Sequence, residues 1–197
     1  EGIFLVDGRG LDQPLLAQKV MLATGGHPSG RKMAEHLGHQ LVPPVPSLFS
    51  LSLNASALAA CSGIAVDDVG LELKLNDQRF RQVGRVLITH RGLSGPATLR
   101  LSAFAARALY GSCYRGELRV DWSAGLGRSG VEQRLQQWRQ VEARRTVAAA
   151  KPFDHLPRRL WQAFLKLAGV DGEGRWADFS AKAQRKLVEI LCAQCLP

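Results

Sequence analysis

A strand that turns sharply into a helix, at residues 86–102, constrains the fold more than any other part of this sequence. The β-branched run Val86–Thr89 predicts the strand. Ser94 is predicted to cap the helix, with Gly95 in the turn and Pro96 at the first helical positions. Such a turn presents a helix N-terminus, whose free N–H groups and positive dipole end suit an anion. The alternative is an ordinary, well-capped connection between a strand and a helix.

Hydrophobic periodicity changes from two to about 3.6 near Ser129. Before that point, Val69–Leu75 and Gly116–Trp122 alternate apolar and polar residues, which predicts antiparallel strands. Beyond it, apolar residues recur at helical spacing. The sequence therefore predicts an α+β fold with a small antiparallel β-barrel-like subdomain, an all-α helical subdomain and a capping helix. The predicted buried face of the capping helix consists of Leu101, Phe104, Ala105 and Ala108.

The prolines of Pro43–Pro46 predict a domain boundary. We divide the chain into residues 1–44, a β-rich part at 45–125 and a helical part at 126–197. Within residues 1–44, the apolar runs Ile3–Val6 and Lys19–Ala23 predict strands, and Ser29–Leu37 predicts a helix closed by Gly38. The absence of an initiator methionine suggests a piece of a longer protein.

The 197-residue chain is strongly basic, with a net charge of +9 that raises nucleic acid as a partner. Basic side chains outnumber acidic ones between Ser129 and Arg159, which indicates a solvated face or a docking face for an acidic partner. Binding of single strands would need aromatic residues among the arginines. The tryptophans instead lie at helical spacing on apolar faces, which predicts that they belong to the core and disfavours nucleic acid.

Membrane and metal partners are not expected either. The sequence has neither an apolar run of about 20 residues nor a signal peptide, so we expect a cytoplasmic protein without a membrane partner. The pair Cys192 and Cys195 lacks two further ligands nearby, so no metal site is predicted.

Two motifs carry a resemblance to a known family. Residues 89–102 read Thr-His-x-Gly-Leu-Ser-Gly-Pro-Ala-x-Leu-x-Leu-Ser, which resembles the signature of the BaiN-like (YhiN-like, aminoacetone-oxidase-like) FAD-dependent oxidoreductases. Val20–Gly26 resembles the "ATGG" segment of two-dinucleotide-binding flavoproteins, and it is followed, as in that family, by a helix and the proline-rich Pro43–Leu48. Only His27–Gly30 remains where family members usually carry a longer glycine- and serine-rich segment.

The resemblance implies that this chain is part of an FAD-dependent oxidoreductase, with NAD(P)H as a candidate electron donor. It would contribute the insert domain that shapes and caps the substrate pocket, preceded by a remnant of the α/β flavin-binding domain. Its implied partners are a small-molecule substrate and the remainder of that domain. Gly8–Gly10 lacks the third glycine of a G-x-G-x-x-G fingerprint, so we expect the chain to bind FAD weakly or not at all and to be inactive alone.

The resemblance also implies a set of site residues. His90 could relay protons at neutral pH. The other residues fall into a cofactor-binding group (Ala23, Thr24, Gly25, Gly26) and a substrate-pocket group (Thr89, Gly92, Leu93, Ser94, Gly95). Two further hypotheses remain open: a non-catalytic interaction or docking domain and, less favoured, a basic nucleic-acid-binding module.

Overall fold

The computed structural model describes residues 18–53 and 57–196. Contacts divide the chain into two units, one ending at Pro44 and one beginning at Val45. In the first unit, helix α1 spans Pro28–His36. Gly38 follows it with φ of 83°, and its N–H donates to the Glu35 carbonyl at 2.9 Å. The predicted helix and its glycine stop are thus confirmed.

The strand predicted at Lys19–Ala23 is not formed within the described residues. Val20 and Met21 are exposed by 54% and 86%, so the apolar run is not covered as a buried strand would be. A strand needs a neighbour to pair its backbone, and the described residues of this unit supply none. The strand predicted at Ile3–Val6 lies outside the described residues.

The second unit contains a six-stranded antiparallel sheet that curls into a half-barrel, in the order β1-β4-β3-β2-β5-β6. The predicted α+β class is confirmed. The strands are β1 Leu51–Ser52, β2 Ala65–Leu75, β3 Gln78–Ile88, β4 Gly92–Ser94, β5 Glu117–Asp121 and β6 Gln194–Leu196.

The long hairpin of β2 and β3 forms the centre of the sheet. In β2, Leu71, Leu73 and Leu75 alternate with more exposed residues, as the sequence pattern predicts. Asn76, with φ of 51°, makes the turn into β3. The register shifts between Val66 and Val69, and such a bulge bends a strand and increases its twist. The bulge therefore contributes to the curl of the half-barrel.

The ends of two helices are set by residues that cap or stop a helix locally. Ser180 caps α6 by accepting a hydrogen bond from the Ala183 N–H at 3.2 Å, and Gly169 ends α5 with φ of 71°. The sequence predicts both ends, because Ser180 directly precedes, and Gly169 directly follows, a run of apolar residues at helical spacing. The helices of this unit are α2 Pro96–Phe104, α3 Ala106–Gly111, α4 Gly127–Val141, α5 Arg158–Ala168 and α6 Ala181–Ala193, with 3₁₀ turns at Ala57–Cys61 and Trp176–Asp178.

Two expectations for the strand-to-helix turn are wrong. Ser94 does not cap α2, because it is the last residue of β4 and pairs with Leu87; Gly95 occupies the cap position without a side-chain hydrogen bond. Phe104 is 71% exposed, because α2 ends there and the chain turns at Ala105 before α3. Leu101 and Ala105 are buried as expected.

One hydrophobic cluster joins the inner face of the sheet to the helices. Trp122, Trp161 and Trp176 are fully buried in it, as the sequence predicts. Their indole N–H groups donate to Gln194, the Val147 carbonyl and the Ala150 carbonyl, so burial leaves no unpaired donor on these rings. No helix among the described residues is long and apolar enough to span a bilayer.

Candidate functional site

His90 lies at the tip of a tight turn between β3 and β4. The Thr89 hydroxyl donates to the Gly92 carbonyl and accepts from the Gly92 N–H, both at 3.1 Å. The Thr89 N–H also donates to the Gly92 carbonyl at 2.8 Å. His90 and Arg91 are exposed between these two anchors. The exposed imidazole of His90 therefore projects from a turn that backbone and hydroxyl hydrogen bonds hold in place.

Gly92 and Gly95 are required by close backbone packing. A Cβ on Gly92 would lie 2.0 Å from the Leu51 carbonyl oxygen, because β1 pairs with β4 directly beside it. A Cβ on Gly95, where φ is 94°, would lie 2.9 Å from the Leu87 nitrogen. Gly92 and Gly95, which are predicted pocket residues, are thus needed for backbone packing. Leu93, a third predicted pocket residue, is fully buried in the core.

The segment before β1 is fastened to the turn and to α2 by hydroxyl groups. Ser50 Oγ donates to Ser94 Oγ at 2.8 Å, and the Phe49 N–H donates to Ser102 Oγ at 2.9 Å. Ser102 is fully buried. The sequence reasoning did not identify the roles of Ser50 and Ser102. Their partners lie 44 and 53 residues away in the chain, which periodicity cannot reveal.

A cavity of about 260 Å³ lies inside the half-barrel, beside β1. Both edge strands of the sheet contribute to it, together with α3. Its size falls just below the usual range of small-ligand sites. Its walls are mostly apolar, and the sequence reasoning missed it; they include Phe49, Leu51, Leu73, Leu109, Tyr114 and Leu196.

The predicted cofactor residues Ala23–Gly26 are exposed and directly precede α1. Gly25 and Gly26 form a turn, and a Cβ on either glycine would meet nothing within 4 Å. The turn therefore leaves open backbone that a flat group can approach closely. These residues fit a contact with FAD, whereas the described residues 18–44 do not contain the strand–helix–strand unit that holds a dinucleotide.

On the outer face of the sheet, Glu72 is surrounded by arginines. Arg79 Nη1 lies 3.1 Å from its carboxylate, and Arg81 forms a second ion pair. Burial raises the pKa of the Glu72 carboxyl, but the Arg81 hydrogen bond and the charges of Arg81, Arg79 and Arg119 together lower it below its usual value. These residues line a groove of about 370 Å³.

The thiol of Cys192 lies near the same groove. Burial, followed by the negative charges of Asp121 and Glu132, raises its pKa to about 11, against a smaller opposing effect of Arg128. The thiol is therefore protonated at neutral pH and is a poor nucleophile.

Two proteins of known function are similar to part of this chain. The ribosomal RNA dihydrouridine synthase of Escherichia coli (strain K12) is 35% identical over 98 residues, which are 44% of this chain and 24% of that protein. The 3-dehydro-bile acid delta(4,6)-reductase of Clostridium scindens is 30% identical over 125 residues, 59% of this chain and 30% of that protein. The matches span between about a quarter and a third of these relatives.

A family model, described as the HI0933-like protein barrel and H2TH domain, matches residues 45–194. The match begins one residue after the first unit ends and covers the half-barrel and the helices that pack on it. It agrees with the resemblance found in the sequence motifs. The chain therefore belongs to the HI0933-like family of flavoproteins, and residues 45–194 are its barrel and H2TH domain.

Proposed function

We propose that this chain contributes the substrate-pocket domain of an FAD-dependent oxidoreductase that takes its electrons from NAD(P)H. The observation that carries the proposal is the family match over residues 45–194. Within that range, the exposed His90 is held on a turn that the Thr89 hydroxyl pins at both ends. The proposal includes the remainder of the flavin-binding domain as partner and the cytoplasm as location, where NAD(P)H is supplied.

The cofactor contact is assigned to Ala23–Gly26. Their exposed backbone leaves room for close approach, and the Thr24 hydroxyl is backed by Gly30, where a Cβ would lie only 1.8 Å from it. Bound FAD would supply hydride chemistry at this position. The chain's own contribution is to present backbone to the cofactor and a titratable side chain to the substrate.

We further propose that the reaction saturates a carbon–carbon double bond conjugated to a carbonyl group. The names of both relatives denote the reduction of a double bond. One forms dihydrouridine, and the other reduces the double bonds of a 3-dehydro bile acid. A hydride adds to the carbon β to the carbonyl, and the π electrons move to the α carbon, which takes a proton. His90, when protonated, is the candidate donor of that proton, and its neutral form regains one from water.

The test uses the full-length protein that contains this chain. After anaerobic reduction by NADPH or NADH, it is mixed with 2-cyclohexen-1-one or with a uridine-containing RNA oligonucleotide, and flavin absorbance is followed. We expect one of these acceptors to reoxidise the flavin and to be recovered with its double bond saturated. A full-length protein that neither contains nor takes up FAD would overturn the cofactor assignment. A reduced flavin reoxidised only by oxygen would overturn the reaction class.

The role of His90 is tested with His90→Gln, and Arg91→Gln serves as the matched control in the same turn. We expect His90→Gln to slow flavin reoxidation by about 10²–10⁴-fold, the range of general acid catalysis. Arg91→Gln should leave this rate close to that of the unmodified protein. Equal losses in both variants would remove His90 from the proton transfer.

A further inference from the structure

Three arginines line one groove on the outer face of the half-barrel sheet. Glu72 in β2 is paired in register with Arg81 in β3 and with Arg119 in β5, so these residues form one row across three strands. Residues directly opposite each other in paired strands lie on the same face of a sheet. Arg79 is two positions from Arg81 in β3 and shares that face. We call Arg79, Arg81 and Arg119, which all line the groove, the arginine cluster.

A single carboxylate orders the arginine cluster without using all of its donors. Arg79 Nη1 lies 3.1 Å from Glu72 Oε1, and Glu72 Oε2 accepts a hydrogen bond from Arg81. The Glu72 side chain is only 16% exposed, whereas those of Arg79 and Arg81 are 51% and 72% exposed. Within the part of the chain that the structure describes, the Arg119 guanidinium donates no hydrogen bond. The cluster therefore holds exposed donors, and Glu72 balances one of its three positive charges.

The groove continues from the arginine cluster onto an apolar surface. One register step along the same face, Gly70 is opposite Val83 on one side and Asp121 on the other. Val83 is 63% exposed, and Gly70 has no side chain to cover its backbone. Glycine inside a strand often marks a place where a ligand approaches the backbone closely. The groove thus offers a flat apolar surface directly beside the arginines.

Asp121 is the second negative charge that lines the groove, and it limits where an anion can lie. Its Oδ1 accepts the Ser123 N–H at 2.8 Å, which holds the carboxylate at the end of β5. An anionic group is therefore attracted toward Arg79 and Arg81 on β3 and repelled from the end of β5. Three positive and two negative side chains leave the groove with a net positive charge.

We propose that this groove binds a small aromatic anion, with its carboxylate or phosphate group on the arginine cluster and its ring over Gly70 and Val83. Guanidinium groups bind both kinds of anion through paired, charge-assisted hydrogen bonds. The volume of about 370 Å³ lies within the range of small-ligand sites. This inference goes beyond the proposed function, and neither depends on the other.

The experiment follows the backbone amide signals of the ¹⁵N-labelled 197-residue chain by NMR at constant ionic strength. The chain is titrated with benzoate and with phenyl phosphate, which distinguish the two anionic groups. Benzyl alcohol supplies a ring without a charge, and inorganic phosphate supplies a charge without a ring. The amides of Gly70 and Val83 report binding in the groove, and that of His90 is a reference outside it.

The variant Arg119→Gln removes one charge from the groove and breaks no hydrogen bond among the described residues. Its matched control is Arg115→Gln, which removes the same charge from an exposed position in the loop before β5, outside the groove. The amide spectrum of each variant also shows whether its fold is retained.

We expect benzoate, phenyl phosphate or both to shift the groove amides, and benzyl alcohol and inorganic phosphate to bind at least about tenfold more weakly. Arg119→Gln should weaken binding of the aromatic anion about tenfold, the effect of losing one charge-assisted hydrogen bond, whereas Arg115→Gln should leave it unchanged. Four results would overturn the proposal: no groove shifts with either aromatic anion, equally tight binding of benzyl alcohol, equally tight binding of inorganic phosphate, or equal losses in both variants.

Discussion

Replacing Gly92 by alanine should detach β1 from the half-barrel. The new Cβ would lie 2.0 Å from the Leu51 carbonyl oxygen and 2.9 Å from the Leu53 nitrogen, and both of these atoms belong to backbone. Backbone that is paired across β1 and β4 cannot move aside without breaking that pairing. The hydrogen bond from the Leu53 N–H to the Arg91 carbonyl, now 2.8 Å, would be lost with it.

The expected cost follows from what β1 contributes. Each lost backbone hydrogen bond costs about 1 kcal/mol, and partial exposure of the half-buried Leu51 adds about 1 kcal/mol. With two bonds lost, and with backbone strain at φ of 156° adding about 1 kcal/mol, Gly92→Ala should lower the free energy of unfolding by roughly 4 kcal/mol. The matched control is Gly63→Ala, at φ of 88°, where a Cβ meets nothing within 4 Å. That change carries only the backbone strain, about 1 kcal/mol.

Urea unfolding, followed by tryptophan fluorescence, measures both variants. The buried tryptophans lie in the cluster that joins sheet and helices, so their emission reports the loss of that packing. We expect the midpoint to fall clearly further for Gly92→Ala than for Gly63→Ala. Equal shifts would refute the argument that the close pairing of β1 with β4 demands glycine at this position.

Further predictions concern charge and thiol chemistry. Since the folded-state pKa of Glu72 is lowered, its ion pairs stabilise the fold above the ordinary pKa of glutamate, and this stability is lost as the pH falls. Glu72→Gln should therefore cost about 1 kcal/mol at pH 7 and almost nothing well below the folded-state pKa, as pH-dependent urea unfolding would show; a constant cost would contradict this assignment. At pH 7, a thiol reagent should modify the exposed Cys195 much faster than Cys192, whose reactivity should rise only as the pH approaches 11; equal rates in mass-spectrometric mapping would contradict the protonated thiol. Ser94→Ala removes only the exposed bond to Ser50, so stability should fall by at most about 1 kcal/mol, and a larger loss on thermal unfolding would reveal a cap that the structure lacks.

The fold was predictable wherever a local pattern decides the structure. The alternation in β2, the serine cap of α6 and the glycine stop of α5 are all readable within one short segment. Leu48–Leu53 alternates apolar and polar residues, which predicts a strand, but only Leu51–Ser52 forms one. The preceding backbone is irregular, with Leu48 at φ of 57°. β6 was not predicted, because its strand character comes from pairing with β5.

The sequence predicts which segment of the chain holds the candidate site. It does not predict why particular residues of that segment are needed. The sequence places His90 in a turn, as observed. It also suggests that Gly92 and Gly95 admit a ligand, whereas the groups nearest to them belong to β1 and β3. Leu51 is 41 positions from Gly92 in the chain, and only the folded sheet brings them together. The assignments of Ala23–Gly26 and His90 to cofactor and substrate remain predictions.

The path of the chain from β5 to β6 has a mechanical consequence. These strands are neighbours in the sheet, with Val120 opposite Gln194, so helices α4, α5 and α6 are inserted within what would otherwise be a β-hairpin. The chain leaves the sheet after β5 and returns to it before β6 at adjacent points. There the Trp122 N–H donates to the Leu191 carbonyl at 2.7 Å. A hinge requires a single soft connection about which one body can swing. Two adjacent, hydrogen-bonded attachments instead resist rotation. We therefore expect the inserted helices to move together with the half-barrel as one rigid body.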